Sequence, residues 1–266
     1  MPFVSNNGVR IHWEQEGTGS PLLLIMGHKY SAEMWWPVRD ALIAKHRVVW
    51  FDNRGTGQSH APKTASVAEM VSDAIAVMDA AGLESAHVWG VSMGGGIAQQ
   101  LAITAPERVR SLILGCTAIK TEIVKAHPHL GAMLIRLPAG VLKLIGGNKA
   151  YPNVPAEIAA RDYEMMKKDK FSVPGVVAQH IGISEFTMTL ADAAGISVPT
   201  LVQHGTADPL VAYAKGQEIA ATIPGARLST FEGAAHNYLL MDIARVEREA
   251  LDFFADVDST TATASA

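Results

Sequence analysis

Short apolar runs alternate with helical patterns over the first 117 residues of the chain. Four runs lack polar alternation, which is typical of strands buried on both faces of a parallel sheet; they are Leu22–Met26, Arg47–Phe51, Ala86–Val91 and Val109–Gly115. The helical pattern after Ser66 begins with the capping-box spacing Ser66-x-x-Glu69, in which each side chain is expected to accept from the other residue's backbone N–H. The alternation predicts an α/β fold with a mostly parallel central sheet flanked by helices.

Both ends of the chain add further elements to this pattern. Val9–Gln15 alternates apolar and polar residues after the turn signal Asn6-Asn7-Gly8, so an antiparallel hairpin is expected at one sheet edge. Ser31 is placed to cap a helix that runs to about Lys45. After Val198 the alternation resumes; the predicted elements are the strands Thr200–His204 and Arg227–Phe231 and the helices Val211–Ile223 and Leu239–Phe254.

The stretch from about 118 to 193 interrupts the alternation. It has no clear buried strand, and prolines cut its helical patches. We therefore predict an α/β core at 1–117 and 194–257, with a helical cap or lid inserted at 118–193. The last residues, 258–266, are small and polar, and a disordered tail is expected there.

Composition and charge narrow the range of partners. The chain is 48% hydrophobic and 18% charged, and its formal net charge of −4 gives no electrostatic basis for binding nucleic acid or an anionic membrane. One cysteine excludes an intramolecular disulfide, and there is neither a secretory signal pattern nor an apolar run near the roughly 20 residues that span a bilayer. We expect a cytoplasmic protein that acts on a small molecule without a metal or cofactor. Its oligomeric state stays open between monomer and homodimer.

One local pattern is more informative than the rest. The pentapeptide Gly90–Gly94, GVSMG, joins the run Ala86–Val91 to a helical pattern that ends before Pro106. Strand, tight turn and helix in this order form a nucleophile elbow of the G-x-S-x-G type, which exposes the serine hydroxyl. Glycine is expected on both sides because the turn brings the strand and helix backbones close together. Ser92 is therefore the candidate nucleophile.

A serine hydroxyl needs a base to take its proton and an acid to hold that base. Among the ten histidines, His236 follows the last predicted strand in a loop of small residues and is the candidate base. Asp208 follows the strand Thr200–His204 and is the candidate acid; its competitor Glu232 lies only four residues before His236. The position after the preceding strand, Gly115–Thr117, has no carboxylate. The order serine, acid, histidine is typical of enzymes with this elbow.

Four segments together carry a resemblance to a known family. They are GVSMGG at 90–95, DNRGTGQS at 52–59, HGTADPLV at 204–211 and GAAHNYLL at 233–240. Through them the sequence resembles the α/β-hydrolase superfamily from about Val9 to Phe254, and within it small bacterial esterases, enol-lactonases, methylesterases and cofactor-free perhydrolases. The resemblance implies the α/β-hydrolase fold and a catalytic triad of Ser92, Asp208 and His236.

The resemblance also implies an oxyanion hole made of backbone N–H groups. By position, Met93 gives one N–H and His28, which follows Gly27, gives the other. Met26 departs from the histidine that the family usually has before this glycine, which affects the shape and polarity of the hole. The His28 side chain either adds a hydrogen bond or a positive charge to the pocket, or only lines its wall.

The resemblance places the insertion over the active site, and pockets form where such elements meet. The residues expected to contact substrate are Gly27 and, from the insertion, Met133, Leu137, Met165, Met166 and Phe186. These side chains favour an apolar or aromatic substrate, since methionine adapts to several shapes.

Three other residues with reactive side chains are expected to stabilise the fold rather than to take part in catalysis. Asp52 and Arg54 lie in a glycine-containing loop, where an ion pair or a turn hydrogen bond is favoured over catalysis. Nothing near Cys116 in the sequence activates its thiol, so a small buried residue near the pocket is expected.

The predicted reaction is hydrolysis of a carboxylic ester or lactone through an acyl-enzyme. Three alternative functions would use the same candidate residues and stay open. Two are enzymatic, a cofactor-free perhydrolase or haloperoxidase and a carbon–carbon bond hydrolase. The third is a small-molecule receptor built on the hydrolase fold.

Overall fold

A sheet of eight strands organises the described part of the chain. The computed structural model describes residues 2–120 and 153–264, with side chains up to residue 260. The strands are β1 (Phe3–Asn6), β2 (Val9–Glu16), β3 (Ser20–Ile25), β4 (His46–Phe51), β5 (Ala86–Val91), β6 (Val109–Gly115), β7 (Thr200–Gly205) and β8 (Arg227–Phe231). Across the sheet their order is β1-β2-β4-β3-β5-β6-β7-β8.

The sheet is parallel except at one edge. β1 pairs antiparallel with β2, and β2 pairs antiparallel with β4, while the other neighbouring strands are parallel. Asn7 and Gly8 connect β1 to β2 with φ angles of 48° and 79°, the left-handed conformation that a tight hairpin turn needs. The predicted α/β architecture and its edge hairpin are both confirmed.

Eight helices accompany the strands in the same described residues. They are α1 (Arg39–Ile43), α2 (Val67–Ala80), α3 (Met93–Thr104), α4 (Ala156–Lys168), α5 (Val173–Glu185), α6 (Leu190–Ala194), α7 (Tyr213–Thr222) and α8 (Ile243–Ala264). α2 begins at the predicted capping box, in which the Ser66 hydroxyl accepts from the Glu69 N–H and the Glu69 carboxylate accepts from the Ser66 N–H. Within the described ranges, no helix is both long and apolar enough to cross a membrane.

Two of the predicted helices follow a separate 3₁₀ turn and begin later than the sequence predicts. Ser31 caps only a 3₁₀ turn at Ala32–Trp35, and α1 starts at Arg39. Pro37 lies between them, where it has no N–H to donate and its ring crowds the preceding turn. The last helix, α8, follows a separate 3₁₀ turn at Tyr238–Leu240.

Alternating side chains of the central strands fill one core on each face of the sheet. Leu23 and Ile25 of β3 pack with the apolar sides of α2 and α3. Leu22 and Leu24 of the same strand pack on the opposite face, with α1 and α8. Burial of both strand faces is the physical reason for the unbroken apolar runs in the sequence.

The described residues between β6 and β7 are mainly helical and form α4, α5 and α6. α5 packs closely on the loop that follows β4. Gly175 of α5 faces Gly55, and a Cβ on either glycine would lie within 2.6 Å of the other's Cα. This end of α5 is therefore fixed against the loop by direct backbone contact.

The helix α8 continues beyond the predicted start of the tail. Residues 258–264 are helical, although their small polar composition predicts disorder. Asp258 explains the difference, because its carboxylate lies 3.0 Å from the His87 ring and accepts from the Ser20 hydroxyl at 3.1 Å. These contacts dock the end of α8 on the sheet.

Candidate active site

Ser92 lies at the apex of the turn between β5 and α3. Its φ of 54° and ψ of −119° are far from helical and strand values, which is a strained conformation for a residue with a side chain. A Cβ at Gly90 would overlap the Gly94 carbonyl oxygen, and a Cβ at Gly94 would overlap the Ile25 carbonyl oxygen. The close approach of strand and helix therefore requires both glycines, as the pentapeptide pattern indicates.

Three side chains form a hydrogen-bonded row at the ends of β5, β7 and β8. The Ser92 hydroxyl lies 3.0 Å from Nε2 of His236, and Nδ1 of His236 lies 2.7 Å from Oδ2 of Asp208. Because the carboxylate only accepts, Nδ1 carries the proton and leaves the Nε2 lone pair for the serine hydroxyl. Glu232, the competing carboxylate, accepts from the Thr206 hydroxyl at 3.1 Å instead. We call Ser92, His236 and Asp208 the Ser92 row.

Several donors hold the Asp208 carboxylate in place. Its Oδ1 accepts from the N–H groups of Leu210 and Val211 at 2.8 and 2.9 Å. Burial opposes ionisation, but hydrogen bonds from His204, His236 and the backbone outweigh it and hold the pKa of Asp208 well below its usual range. The carboxylate is therefore ionised at neutral pH and can orient His236.

Two buried residues complete the surroundings of this carboxylate. Nε2 of His204 lies 2.9 Å from the Val211 carbonyl oxygen and 3.4 Å from Oδ2 of Asp208. The Cys116 thiol lies beside the same carboxylate, and its burial, together with that negative charge, raises the pKa of the thiol well above its usual value. Cys116 is thus an un-ionised thiol in the wall of the site, as predicted.

The loop after β3 runs beside the candidate nucleophile. A Cβ on Gly27 would lie 3.3 Å from the Ser92 Cβ, so glycine leaves space next to the serine. Met93, the first residue of α3, has a backbone N–H without an intrahelical acceptor. No described residue accepts a hydrogen bond from the His28 N–H. Both N–H groups predicted for the oxyanion hole are therefore free to bind an oxygen.

Side chains from two other segments fix this loop. Lys29 has a positive φ of 78°, and its N–H donates to Oε1 of the fully buried Gln179 at 3.0 Å. Nε2 of Gln179 donates to the Arg54 carbonyl oxygen at 2.9 Å. The Asn53 side chain donates to the Met26 carbonyl oxygen at 2.8 Å. The conformation of the loop thus depends on both α5 and the segment after β4.

The charged residues of the 52–59 loop have structural partners. Arg54 is buried and pairs with Asp73 at 2.6 Å and with Glu69 at 3.0 Å. Asp52 accepts from the Ala32 N–H at 2.9 Å. Within the loop, the Asp52 carboxylate also accepts from the Gln58 N–H at 2.9 Å. The predicted ion pair and turn hydrogen bond are therefore both present.

A cavity of about 420 Å³ opens beside the Ser92 hydroxyl and the His236 ring. A volume of this order holds a small organic molecule. Most of its described lining is apolar, and it includes Met26, Met34, Val67, Ile183, Leu210 and Leu239.

Only some of the described residues predicted to contact substrate line the cavity. Gly27 and Phe186 line the cavity. The Phe186 ring faces α3, where a Cβ on Gly96 would lie 3.6 Å from it. Met133 and Leu137 lie outside the described residues.

Met165 and Met166 were expected in the cavity wall, but the described lining does not include them. Both pack against the core on the α8 face of the sheet. The sulfur of Met166 accepts a hydrogen bond from the Tyr30 hydroxyl at 3.2 Å. The reason is the orientation of α4, which turns these methionines toward Tyr30 and that core.

Two imidazoles form a polar patch in the cavity wall. Nε2 of His28 lies 3.0 Å from the Val176 carbonyl oxygen, so this nitrogen carries the proton. The ring of His180 lies 5.7 Å from that of His28, and its Nε2 is buried without a partner among the described residues. Burial lowers the pKa of His28 to about 4 and also lowers that of His180. At neutral pH the patch is uncharged, so His28 does not supply a positive charge.

The sequence did not reveal three residues that hold the site: Gln179, Asn53 and Thr117. The Thr117 hydroxyl donates to the Ser92 carbonyl oxygen at 2.8 Å. Each of the three bonds a backbone group far away in the chain, and no local pattern marks such a partner. Asn53 and Thr117 share one usable signal, since both follow the carboxyl end of a parallel strand, where functional residues of open α/β sheets collect.

A family model described as serine aminopeptidase, S33, matches residues 39–243 of the 266. The match spans the nucleophile elbow, Asp208 and His236, together with the strands that position them. The chain belongs to the α/β-hydrolase superfamily, through the family that this model describes.

Individual relatives agree with this membership over nearly the whole chain. A protein of Azorhizobium caulinodans, provisionally named carbamate hydrolase RutD, is 30% identical over 97% of this chain and 100% of its own length. A Mycobacterium tuberculosis protein, provisionally named non-heme bromoperoxidase BpoC, is 28% identical over 94% of this chain and 99% of its own. The crystal structure of the enol-lactonase from Burkholderia xenovorans LB400 superposes with a TM-score of 0.83 at 25% identity, covering 96% of this chain and 100% of that one.

Proposed function

We propose that the chain is a serine hydrolase that cleaves a carboxylic ester or lactone of a small, largely apolar substrate. The observation that carries the proposal is the Ser92 row, which ends beside a mostly apolar cavity. A serine becomes an effective nucleophile when a base lies within hydrogen-bond reach and a third group orients that base. The row supplies all three groups at suitable distances.

In the first half of the proposed reaction, the Ser92 oxygen attacks the carbonyl carbon while Nε2 of His236 takes the hydroxyl proton. Asp208 holds the tautomer of His236 and stabilises the imidazolium that forms. The N–H groups of Met93 and His28 bind the developing oxyanion, and one such donor is worth roughly 3 kcal/mol of the barrier. The bond to the alcohol then breaks, and the alcohol leaves with the proton from His236.

In the second half, water replaces the alcohol. His236 takes a proton from the water as its oxygen attacks the acyl carbon, and the same N–H groups bind the second oxyanion. The acyl bond to Ser92 breaks, the serine oxygen recovers a proton from His236, and the carboxylic acid leaves. With a lactone, the released alcohol and acid are parts of one molecule.

The helices between β6 and β7 act as the lid in this proposal. Ile183 of α5 and Phe186 at its end contribute apolar surface to the cavity wall, which supports an apolar acyl or alcohol group. Gln179 and the contact of Gly175 with Gly55 fix α5 on the core. The substrate-facing wall from α5 is therefore preformed.

The names of the relatives support chemistry at a carbonyl carbon. The carbamate hydrolase name of RutD and the enol-lactonase structure both denote hydrolysis at such a carbon. The bromoperoxidase name of BpoC favours a second candidate. In that reaction, hydrogen peroxide instead of water attacks the acyl-enzyme and forms a peracid on the same residues.

A substrate panel with matched serine variants tests the proposal. It contains 4-nitrophenyl esters of increasing chain length, simple lactones, an enol-lactone and an aryl carbamate, with peracid formation from acetate and peroxide measured beside them. Wild type is expected to hydrolyse at least one ester or lactone and to be labelled by a fluorophosphonate. Ser92→Ala should lose about 10⁴-fold or more of that rate and all labelling. Ser5→Ala, on the exposed edge strand β1, is the matched control.

Two results would contradict the proposal. One is full hydrolysis by Ser92→Ala. The other is a folded wild type that neither hydrolyses the panel nor reacts with the fluorophosphonate, which favours a receptor instead. Peracid formation faster than ester hydrolysis makes the perhydrolase the better assignment.

A further inference from the structure

The His28 side chain has one nitrogen that the protein does not use. Its Nε2 donates to the Val176 carbonyl oxygen of α5 at 3.0 Å. In a neutral imidazole the other nitrogen, Nδ1, is then an acceptor with a bare lone pair. No described residue donates to this Nδ1, and the half-buried ring lines the cavity. The cavity therefore contains a fixed hydrogen-bond acceptor without a donor.

This acceptor lies close to the proposed oxyanion hole. A few covalent bonds separate Nδ1 of His28 from the backbone N–H of the same residue, which is the proposed oxyanion donor. Gly27, the preceding residue, lies beside Ser92, where an added Cβ would be 3.3 Å from the serine Cβ. A substrate group that reaches Nδ1 is consequently close to the scissile carbonyl.

The ring is held in this orientation from two sides. The Lys29 N–H donates to Gln179, which fixes the backbone directly after His28. The bond to Val176 fixes the ring itself. Both partners lie on α5, so the acceptor is preorganised, and binding a donor needs little rearrangement.

The charge of the two imidazoles, His28 and His180, determines which substrate groups can bind beside them. Burial lowers the pKa of His28 to about 4, and His180 beside it also has a lowered pKa, so both rings are neutral at pH 7. A carboxylate facing a bare lone pair is repelled, whereas a hydroxyl or N–H is attracted. Lys29 is the nearby cation, but its Nζ lies over the rings of Tyr30 and Phe171, at 5.9 and 5.3 Å from their centroids.

We propose that Nδ1 of His28 accepts a hydrogen bond from a neutral donor, a hydroxyl or N–H, that the substrate carries next to its scissile carbonyl. The preferred substrates are then hydroxylated or N–H-bearing esters or lactones rather than plain alkyl esters. This inference rests on the proposed hydrolytic function and names the substrate class of that site.

Matched ester pairs measure the recognition directly. Methyl 2-hydroxybutanoate and 3-hydroxybutanoate, each as single enantiomers, are compared with the corresponding methoxy esters, which keep the oxygen but lack the donor. The quantity compared is the hydroxy-to-methoxy ratio of kcat/KM, because a general loss of activity cancels in it. Monomethyl succinate, which carries a carboxylate instead of a hydroxyl, tests in the same experiment whether the site recognises an anion.

Three variants interpret the ratio. His28→Phe removes the acceptor and keeps an aromatic ring, and we expect the hydroxy-to-methoxy ratio to fall roughly 3- to 10-fold, the effect of one neutral hydrogen bond. His28→Gln retains an amide oxygen that can accept and should keep part of the preference. His60→Phe, the same change on the exposed surface, should leave the ratio as in wild type.

The outcomes separate this inference from the proposed function. Equal ratios in wild type and His28→Phe, with ester hydrolysis intact, overturn the role of His28 but not the hydrolase. Monomethyl succinate as the best substrate, lost in His28→Phe, also overturns it, because the recognised group is then an anion. Failure of every ester together with no fluorophosphonate labelling overturns both proposals.

Discussion

Serine, histidine and aspartate side chains form hydrogen-bonded sets at both ends of the parallel strands. The Ser92 row lies at the carboxyl ends. At the amino ends, the His87 ring lies 2.8 Å from the Ser111 hydroxyl and 3.0 Å from a carboxylate oxygen of Asp258. The Ser20 hydroxyl donates to the same carboxylate at 3.1 Å. We call Ser20, His87, Ser111 and Asp258 the His87 cluster.

Access and backbone geometry distinguish the two sets. The His236 side chain is 19% exposed and lines the cavity, whereas that of His87 is 0% exposed. Ser92 has a positive φ on a tight turn, while Ser111 lies within strand β6 and has no positive φ. The same residue types thus form a candidate active site at one end and a contact that docks α8 at the other. Residue types alone do not define a triad; the exposed turn and the reachable base do.

Removing the carboxylate from each set should give the largest contrast. Asp208→Asn leaves His236 in the wrong tautomer, and kcat/KM for an aryl ester is expected to fall about 10³- to 10⁴-fold. Asp258→Asn should change kcat/KM by less than about twofold, since Asp258 contacts no cavity residue in the described hydrogen bonds. Steady-state kinetics of both variants give the comparison. Losses of similar size would show that the two sets are not functionally distinct.

The elbow glycines test the strained turn of the Ser92 row. Gly94→Ala would force a methyl group into the Ile25 carbonyl oxygen, and the free energy of unfolding should fall by about 3 kcal/mol. Gly96→Ala, two residues further along α3, meets only ordinary contact with Phe186 at 3.6 Å and gains helix propensity. Urea denaturation of both variants measures the difference. Equal stabilities would contradict the close approach of strand and helix at Gly94.

The pH dependence of the free energy of unfolding tests whether His87 is buried and uncharged in the His87 cluster. Burial lowers the pKa of His87 to about 4 in the folded protein. The unfolded histidine titrates near 6.5, so between these values the unfolded chain binds more protons and stability falls as the pH falls. From pH 7.5 to pH 5 the loss due to this residue is on the order of 2 kcal/mol.

His87→Gln removes this titration, so its free energy of unfolding should vary less with pH than that of wild type. His28 contributes in the same direction in both proteins and cancels in the comparison. His60→Gln, at an exposed position, is the control and should behave as wild type. Parallel pH profiles for wild type and His87→Gln would disprove a neutral, buried His87.

The smallest effect is expected from the residue that fixes the oxyanion loop. Gln179→Leu leaves the Lys29 N–H without its acceptor, and kcat should fall roughly 10-fold with little change in KM, because the oxyanion donors act mainly in the transition state. Affinity for a boronic acid that mimics the tetrahedral intermediate should fall in parallel. A lower melting temperature with unchanged kcat would mean that Gln179 only stabilises the fold.

Much of the core could be predicted from the sequence because strands buried on both faces leave unbroken apolar runs. β3 and β5 are clear examples. The prediction was less accurate where one residue overrides a pattern. Pro37 divides the helix expected after Ser31, and the contacts of Asp258 order a segment whose composition predicts disorder. Such contacts join residues far apart in the chain, so local patterns do not reveal them.

The candidate active site likewise has a part that local patterns predict and a part that depends on contacts between distant residues. Ser92, Asp208 and His236 each follow a recognisable strand, so their positions could be predicted, and the structure brings them together. The cavity wall could not be predicted in the same way. The orientation of α4 depends on its packing against distant residues. In the orientation observed, Met165 and Met166 face the core and are not part of the described cavity lining.

The most direct test of the central claim is to locate the acyl group on the enzyme. Wild type is treated with 4-nitrophenyl dimethylcarbamate, whose carbamoyl group leaves a serine slowly, and the digested protein is mapped by mass spectrometry. The account predicts one carbamoyl group on Ser92, formed with release of one equivalent of nitrophenol and absent in Ser92→Ala. A group on another residue, such as Cys116, or modification that persists in Ser92→Ala, would contradict it.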